Sequence, residues 1–266
     1  MAATDNPNWQ VGDDVSELYG ITKWEPPEPS VDGDSERPHP YFHTYTEIEN
    51  WRNFPNIFQE GEEVVITEKV HGKNCRNGYI GTTDKDGVTV WEFMSGSHGI
   101  RRKEIDAHGR ESDFWKVLTD ELKALLKSVS QDEKNVVAFG EIYGSGVQDM
   151  TYGLEHGHHS YRLFDIAVDG KYMDYDDKVA LCQRLGVEMV PVLYRGPYSP
   201  QIVEELTDGP TTVCDPDKAG LFKGREGVVI APVVERFSAD IGGEGRVILK
   251  SISVDYLARK GGTDFH

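Results

Sequence analysis

The chain has 266 residues, of which 38% are hydrophobic, so it is long enough for one large domain or two small ones with a packed core. It carries 46 acidic and 28 basic residues, a formal net charge of −18, whereas nucleic-acid binders are usually basic on their contact face. There is no apolar run of about 18 residues and no secretory signal pattern, so we expect no membrane span and a cytoplasmic protein.

The first predicted segment covers residues 1 to about 40. It is rich in Pro, Asp, Glu and Ser, as in WEPPEPSVDGDSERPHP, and acidic Pro-rich stretches rarely build a core. We therefore predict an extended N-terminal arm or linker over residues 1–40 and one domain over residues 41–266.

Alternating apolar residues then predict strands. The segment EVVITEK (63–69) places Val65, Thr67 and Lys69 on one side of a strand. CRNGYIGTT and VTVWEFM flank Asp86-Gly87, a pair that accepts the positive φ of a hairpin turn. Further strands are predicted at NVVAFGEIY (135–143), SYRLFDIAV (160–168), REGVVIAP (225–232) and RVILKSIS (246–253).

Two segments have the period of a helix. The first covers residues 112–130, with Ser112 as its N-cap. Its apolar face consists of Phe114, Leu118, Leu122, Leu125 and Val129. The second is DDKVALCQRL (176–185), which Gly186 ends. The whole pattern predicts an α+β domain of twisted, mostly antiparallel sheets with a few covering helices.

The spacing of the cysteines and histidines does not indicate a metal site. The three cysteines, Cys75, Cys182 and Cys214, are far apart and form no CxxC pair, which argues against a disulfide framework or a zinc site. The HGHH run (156–159) has no nearby cysteine and no helical spacing, so we interpret it as a solvent loop.

A set of charged residues near strand ends indicates phosphoryl transfer. Lys69 ends a predicted strand and is followed by His71-Gly72, where glycine permits close approach of backbone and phosphate. Glu141, Glu226 and Lys250 lie in three further apolar strands. Such a set supplies a nucleophile, carboxylates for a divalent metal, and a cation that lowers the lysine pKa. Taken singly, Lys69 is better explained as a solvated lysine beside a turn, and Glu141 as an edge-strand carboxylate that faces water.

The order of five segments makes the interpretation specific. TEKVHGKN, FGEIYGSG, YRLFDIAV, REGVVI and ILKSIS resemble the ordered motifs of the covalent nucleotidyltransferase superfamily, which contains DNA ligases, RNA ligases and mRNA capping enzymes. The KxHG histidine, the asparagine that follows KxHGx and the FGE form are similar to the RNA-ligase-2-like branch. The resemblance spans about residues 40–258 and implies the nucleotidyltransferase fold, an ATP-grasp-like ligase adenylation fold with flanking helices.

The resemblance implies an ATP-dependent RNA ligase. Lys69 would attack the α-phosphate of ATP, and the resulting lysyl-AMP would pass AMP to an RNA 5′-phosphate, from which a 3′-hydroxyl displaces it. Glu226 and Glu141 would hold Mg²⁺ or Mn²⁺, His71 would assist the phosphate chemistry, and Lys250 would neutralise the α-phosphate. Phe164 would stack on adenine opposite Val229. The implied nucleotide-binding residues are Glu68, Asn74, Arg101, Glu141, Phe164, Val229 and Lys250.

The chain departs from the family pattern in its last motif and in its length. Many relatives have a second lysine where this chain has Ile248, and Arg246 is a candidate to replace it. ITKWEPP resembles the stretch that joins an N-terminal OB domain to the catalytic domain in one group of RNA ligases. Because about twenty residues precede it, and sixteen follow Lys250, we expect neither that OB domain nor a C-terminal module.

Two alternatives stay open at this point. A capping-type guanylyltransferase or a DNA ligase would label Lys69 with GTP or join all-DNA ends. A non-catalytic RNA-binding module would show broken motifs, whereas Lys69, Glu141, Glu226 and Lys250 are all present. The partners expected are RNA ends with a 5′-phosphate and a 3′-hydroxyl, a nick in duplex RNA being one candidate. The sequence leaves the oligomeric state open.

Overall fold

The protein is described by a computed structural model that covers residues 33–242 and 245–259. Residues 1–32, which include most of the predicted N-terminal arm, lie outside the described residues, so the arm and the domain boundary at residue 40 stay predictions.

Two β-sheets form the framework. The strands are β1 Glu49–Asn50, β2 Glu63–Glu68, β3 Lys73–Thr83, β4 Thr89–Ser97, β5 Arg101–Arg102, β6 Val136–Gly144, β7 His159–Val168, β8 Lys171–Tyr172, β9 Val192–Pro197, β10 Gly227–Pro232 and β11 Leu249–Ile252. One sheet has the order β1-β11-β10-β2-β9 and the other β5-β4-β3-β6-β7-β8. All pairs are antiparallel except β1 with β11, which confirms the predicted mostly antiparallel α+β fold.

Short helices pack against the sheets. They are α1 Asp113–Lys116, α2 Asp120–Val129, α3 Tyr175–Leu185, α4 Pro200–Thr207 and α5 Val254–Leu257, with 3-10 turns at Trp51–Asn53 and Pro216–Lys218. Gly186 ends α3 at φ 71°, as predicted. No helix among the described residues has the length and apolarity needed to cross a bilayer.

The prediction of one helix over residues 112–130 was wrong, because the helix is interrupted between α1 and α2. Thr119 starts a new helix there, since its side chain accepts a hydrogen bond from the Leu122 N–H. Ser112 precedes α1 but makes no side-chain cap. The predicted apolar face is otherwise correct, with Leu122 and Leu125 fully buried.

The five-stranded sheet separates a packed core from a cleft. Val64 and Ile66 of β2 lie in the same core cluster as Val228, Ile230 and Leu249. Because side chains alternate along a strand, the residues between them face the other way. That second face, carrying Val65, Thr67, Val229 and Ala231, lines the space between the two sheets.

Candidate active site

A cavity of about 240 Å³ lies between the two sheets. Its lining residues come from β2, β10, β3, β6, β7 and α3, and from the connections between them. They are Tyr45, Ile48, Val65, Thr67, Glu68, Lys69, Val70, Asn74, Glu141, Phe164, Asp165, Tyr175, Lys178, Met189, Val190, Val229, Ala231 and Ile248. Six of the residues predicted from the motifs therefore meet in one space: Glu68, Lys69, Asn74, Glu141, Phe164 and Val229.

Lys69 stands at the end of β2 and pairs with Glu226. Its backbone N–H donates to the Gly227 carbonyl at 3.0 Å, which fixes it beside the start of β10. Its Nζ lies 2.5 Å from Glu226 Oε1, and the side chains are 28% and 10% exposed. Burial alone would raise the pKa of Glu226, but the Lys69 ammonium and a hydrogen bond from His71 lower it overall. Glu226 is therefore ionised, and the Lys69 amine is accessible from the cleft.

Glu141 and Asn74 face each other across the β3–β6 pair. Burial raises the pKa of Glu141 to about 8, with Glu226 adding to the rise and Lys69 opposing it. The Asn74 Oδ1 atom is buried and has no hydrogen-bond partner among the described residues. Because buried polar atoms are normally satisfied, this oxygen indicates space for a ligand donor at the cavity wall.

Gly72 permits the close backbone approach that the sequence predicts. A Cβ at this position would lie 2.1 Å from the Ile142 carbonyl oxygen and 3.0 Å from Glu141 Cγ. Glycine is therefore required so that the Lys69 loop can pack directly on β6. This close packing brings the nucleophile candidate and Glu141 to the same cavity.

His71 is buried and held on all sides. Its N–H donates to Tyr152 Oη at 2.8 Å, and its Nε2 lies 2.7 Å from Asp149 Oδ1. Its Nδ1 lies 3.0 Å from Tyr256 Oη and 3.5 Å from Glu226 Oε2. The ring is thus in contact with the carboxylate that pairs with Lys69.

The apolar walls of the cavity are provided by Phe164 and Val229. Phe164 packs edge-to-face on Tyr45, with ring centroids 4.9 Å apart. Val229 pairs with Thr67 of β2 on one side and with Lys250 of β11 on the other. Directly opposite residues in a sheet share a face, so Lys250 lies on the cleft side of this sheet.

Comparisons with known proteins identify the family of the chain. A family model described as RNA ligase matches residues 62–252, which is well over half of the chain. The chain belongs to the RNA ligase family. Solved structures of Naegleria gruberi RNA ligase are similar in fold. A mutant with ATP and Mn is 24% identical with a TM-score of 0.59, and covers 94% of this chain and 68% of that one. An apo mutant is 25% identical with a TM-score of 0.59, covering 93% and 67%.

A third structure of the Naegleria gruberi RNA ligase, with PPi, is 24% identical with a TM-score of 0.57. It covers 93% of this chain and 67% of that one. A comparison with curated proteins found no significant match.

Two residues predicted to contact the nucleotide have other partners in this RNA ligase. Arg101 lies on β5 at the edge of the six-stranded sheet, 3.3 Å from Glu92, and is not among the cavity-lining residues. The Glu68 carboxylate is buried and accepts hydrogen bonds from Thr211 Oγ1 at 2.5 Å and from Thr212 N–H and Oγ1 at 2.6 Å. Its side chain therefore anchors a loop, although Glu68 still lines the cavity.

Arg246 does not replace the missing motif lysine. It is 2% exposed, and its guanidinium donates to Asp165 Oδ2 at 2.7 Å, Glu235 Oε2 at 2.8 Å and Tyr45 Oη at 3.0 Å. The interpretation that it contacts phosphate was wrong, because these partners occupy its donors. Ile248 instead forms part of the cavity wall.

Sequence reasoning missed the polar end of the cavity. Asp165 accepts hydrogen bonds from Lys178 Nζ at 2.6 Å and from Tyr45 Oη at 2.6 Å, and all three residues line the cavity. Burial opposes ionisation of Asp165, but Arg246 and Lys178 lower its pKa overall. An aspartate inside the apolar strand SYRLFDIAV was the available signal, since a buried carboxylate needs partners.

Proposed function

We propose that this RNA ligase is ATP-dependent and joins an RNA 3′-hydroxyl to a 5′-phosphate through a lysyl-AMP on Lys69. The observation that carries the proposal is the position of the Lys69 amine beside Glu226 at a cavity lined by Asn74, Glu141 and Phe164. The structures of the Naegleria relative with ATP and Mn support ATP and a divalent metal as its requirements.

The positions of the residues that line the cavity suit a nucleotide. Lys69, Thr67 and Val65 lie on one face of β2 and its end, at steps of about 7 Å. With the α-phosphate at Lys69, the base lies at the level of Thr67, between Phe164 and Val229. The ribose then lies near Asn74, whose Oδ1 atom needs a donor such as a sugar hydroxyl.

Glu226 and Glu141 are suited to hold the divalent cation. Mg²⁺ binds proteins through one or two carboxylates and completes its shell with water and substrate phosphates. Glu226 pairs with Lys69 beside the cavity and Glu141 lines it, so a site of these two carboxylates and nucleotide oxygens fits this chain. The bound cation would neutralise charge that develops on the phosphates.

Side chains of the protein then account for the transfer of AMP from ATP to Lys69. The ion pair with Glu226 stabilises the ammonium form of Lys69, so the pair must open and one proton must leave before the amine attacks. The Nζ–P bond forms while the bond between the α-phosphorus and the pyrophosphate oxygen breaks, leaving lysyl-AMP and pyrophosphate. Lys250, on the cleft face of the same sheet, is the proposed counter-charge to the α-phosphate.

The two RNA steps act on different phosphorus atoms, first that of AMP and then that of the RNA 5′-phosphate. The 5′-phosphate of one RNA end attacks AMP and releases Lys69, which gives an AMP-capped end. The 3′-hydroxyl of the other end then attacks the capped 5′-phosphate, forms the phosphodiester and releases AMP. RNA ends at a nick in duplex RNA are the substrate that we propose testing first.

Labelling with α-³²P nucleotides tests the proposal. We expect ATP with Mg²⁺ to label the protein, Lys69→Met to show no label, and GTP to label poorly. Glu226→Gln should lose metal-dependent labelling, because it removes one of two carboxylates. Labelled protein should then seal nicked RNA on addition of substrate. Label that persists in Lys69→Met, or GTP labelling equal to that with ATP, would refute the assignment.

A further inference from the structure

The segment that follows β11 packs against the nucleophile motif. Helix α5 places Tyr256, which is 1% exposed, with its hydroxyl 3.0 Å from His71 Nδ1. Arg259 lies two residues beyond the helix, and its guanidinium carbon stacks 3.5 Å above the Tyr256 ring. The end of the described chain is therefore in contact with the residue two positions after Lys69.

Asp149 links Arg259 to His71 from the other side. Arg259 Nε donates to Asp149 Oδ2 at 2.8 Å, and Nη2 donates to Oδ1 at 3.1 Å. Asp149 Oδ1 also lies 2.7 Å from His71 Nε2. Burial opposes ionisation of Asp149, but the hydrogen bonds from Arg259 and His71 lower its pKa overall. The fork of Arg259 thus fixes the carboxylate in a single orientation.

These contacts end at the reacting amine. Their order is Arg259, Asp149, His71, Glu226 and Lys69, with alternating acidic and basic groups at 2.8, 2.7, 3.5 and 2.5 Å. Arg259 and His71 are buried, and burying charged groups costs stability unless each has a well-placed partner. Packing alone does not require this chain of charges, whereas an orienting role does.

Resting on the proposed function, we infer that Asp149 and Arg259 are positioning residues for adenylylation of Lys69. They hold the His71 ring, and the ring in turn holds Glu226 where it meets the Lys69 amine. The residues Ser253–Arg259 are then part of the catalytic apparatus and not only an appended helix. Positioning errors of about 1 Å near a reacting group can lower a rate about 100-fold.

The test compares Asp149→Ala and Asp149→Asn with Asp106→Asn, which changes an aspartate that pairs with an exposed arginine. We expect Asp149→Ala to lower the rate of lysyl-AMP formation about 10- to 100-fold, with the Kd for ATP changed less than about twofold. Arg259→Met should act in the same direction, and Arg259→Lys should recover part of the rate. Asp106→Asn should leave the rate unchanged.

A double-mutant cycle with His71→Ala separates positioning from general stability. If Asp149 acts through His71, Asp149→Ala should cause no further loss of rate in the His71→Ala background. Equal losses in both backgrounds, or a loss that follows ATP affinity or the melting temperature, would overturn the inference.

An NMR measurement keeps the inference testable without activity. In protein with ¹⁵N-labelled histidine, the His71 Nε2–H proton should be shifted downfield and protected from exchange, and Asp149→Asn should remove this signature while the other histidines stay unchanged. An unchanged signature would overturn the inference. Failure of the proposed function would instead appear as absent ATP labelling of the wild-type protein.

Discussion

Glu141 offers the sharpest test of the site, because its charge state differs from that of its neighbour. Its pKa of about 8 means that at pH 7 about nine-tenths of the molecules hold a proton on this carboxyl. Glu226, which is near enough to raise the pKa of Glu141, is ionised through its pair with Lys69. A divalent cation binds the ionised form, so binding at pH 7 must first remove the Glu141 proton.

The cost of this step sets the size of the expected effect. Ionising a group one pH unit below its pKa costs about 1.4 kcal/mol, which corresponds to about tenfold weaker binding. The apparent affinity for Mg²⁺ with nucleotide should therefore rise about tenfold between pH 7 and pH 9. Binding should release about 0.9 proton at pH 7 and about 0.1 proton at pH 9.

Calorimetry in buffers of different ionisation enthalpy measures the proton release directly. The ligand is Mg²⁺ with an α,β-methylene analogue of ATP, which prevents transfer to Lys69. Glu141→Gln, measured at saturating ligand, should lose the proton release and the pH dependence. Glu92→Gln, which changes a carboxylate that pairs with Arg101 outside the cavity, should keep both. If Glu141→Gln releases as many protons as the wild type, Glu141 is not the group that titrates on binding.

Three further results are expected. Because the folded-state pKa of Glu141 lies above its ordinary 4.5, the ligand-free folded protein retains a proton that the unfolded chain loses between about pH 4.5 and 8. The free energy of unfolding should therefore fall across that window and level off above it; urea titrations should show this slope for wild type but not for Glu141→Gln. Arg246→Met should lower the free energy of unfolding by about 3–5 kcal/mol, since it removes the cation that Asp165 and Glu235 share and leaves Asp165 with Lys178 alone; a loss below about 1 kcal/mol in urea denaturation contradicts this. Lys178→Met should raise the KM for ATP, because it removes the partner of the Asp165 carboxylate in the cavity wall; a KM equal to that of the wild type contradicts this.

The sequence predicted those parts of the fold whose pattern is local. Period-two alternation indicated β2, β3, β4, β6 and β7, and Gly186 marked the end of α3. Strands of two residues, such as β1, β5 and β8, are too short to have a period. Helix α4 was not predicted, although Ser199 and Pro200 are a strong start signal, because its apolar residues span only two turns.

The site residues, too, could be predicted only where they belong to a local motif. Motif order placed Lys69, Asn74, Glu141, Phe164 and Val229, and the structure brings these side chains to one cavity. Glu226 reaches the same place through its pair with Lys69. Pairings between distant segments were not predicted: Asp149 with His71 is separated by 78 residues, and Arg246 with Asp165 by 81. No local pattern encodes such a pair, because it forms only when two sheets pack together.

Lys69 and Arg246 show why burial decides what a charged residue in a strand can do. Both lie on or beside strands of the same sheet and both pair with carboxylates. The Arg246 side chain is 1% exposed and is surrounded by Asp165, Glu235 and Tyr45. Moving it would leave buried carboxylates without this cation. The Lys69 side chain is 28% exposed and faces a cavity, so a ligand can reach it and separate it from Glu226. The pairing of Arg246 therefore holds the two sheets together. Only the pairing of Lys69 leaves an amine that can react with a ligand.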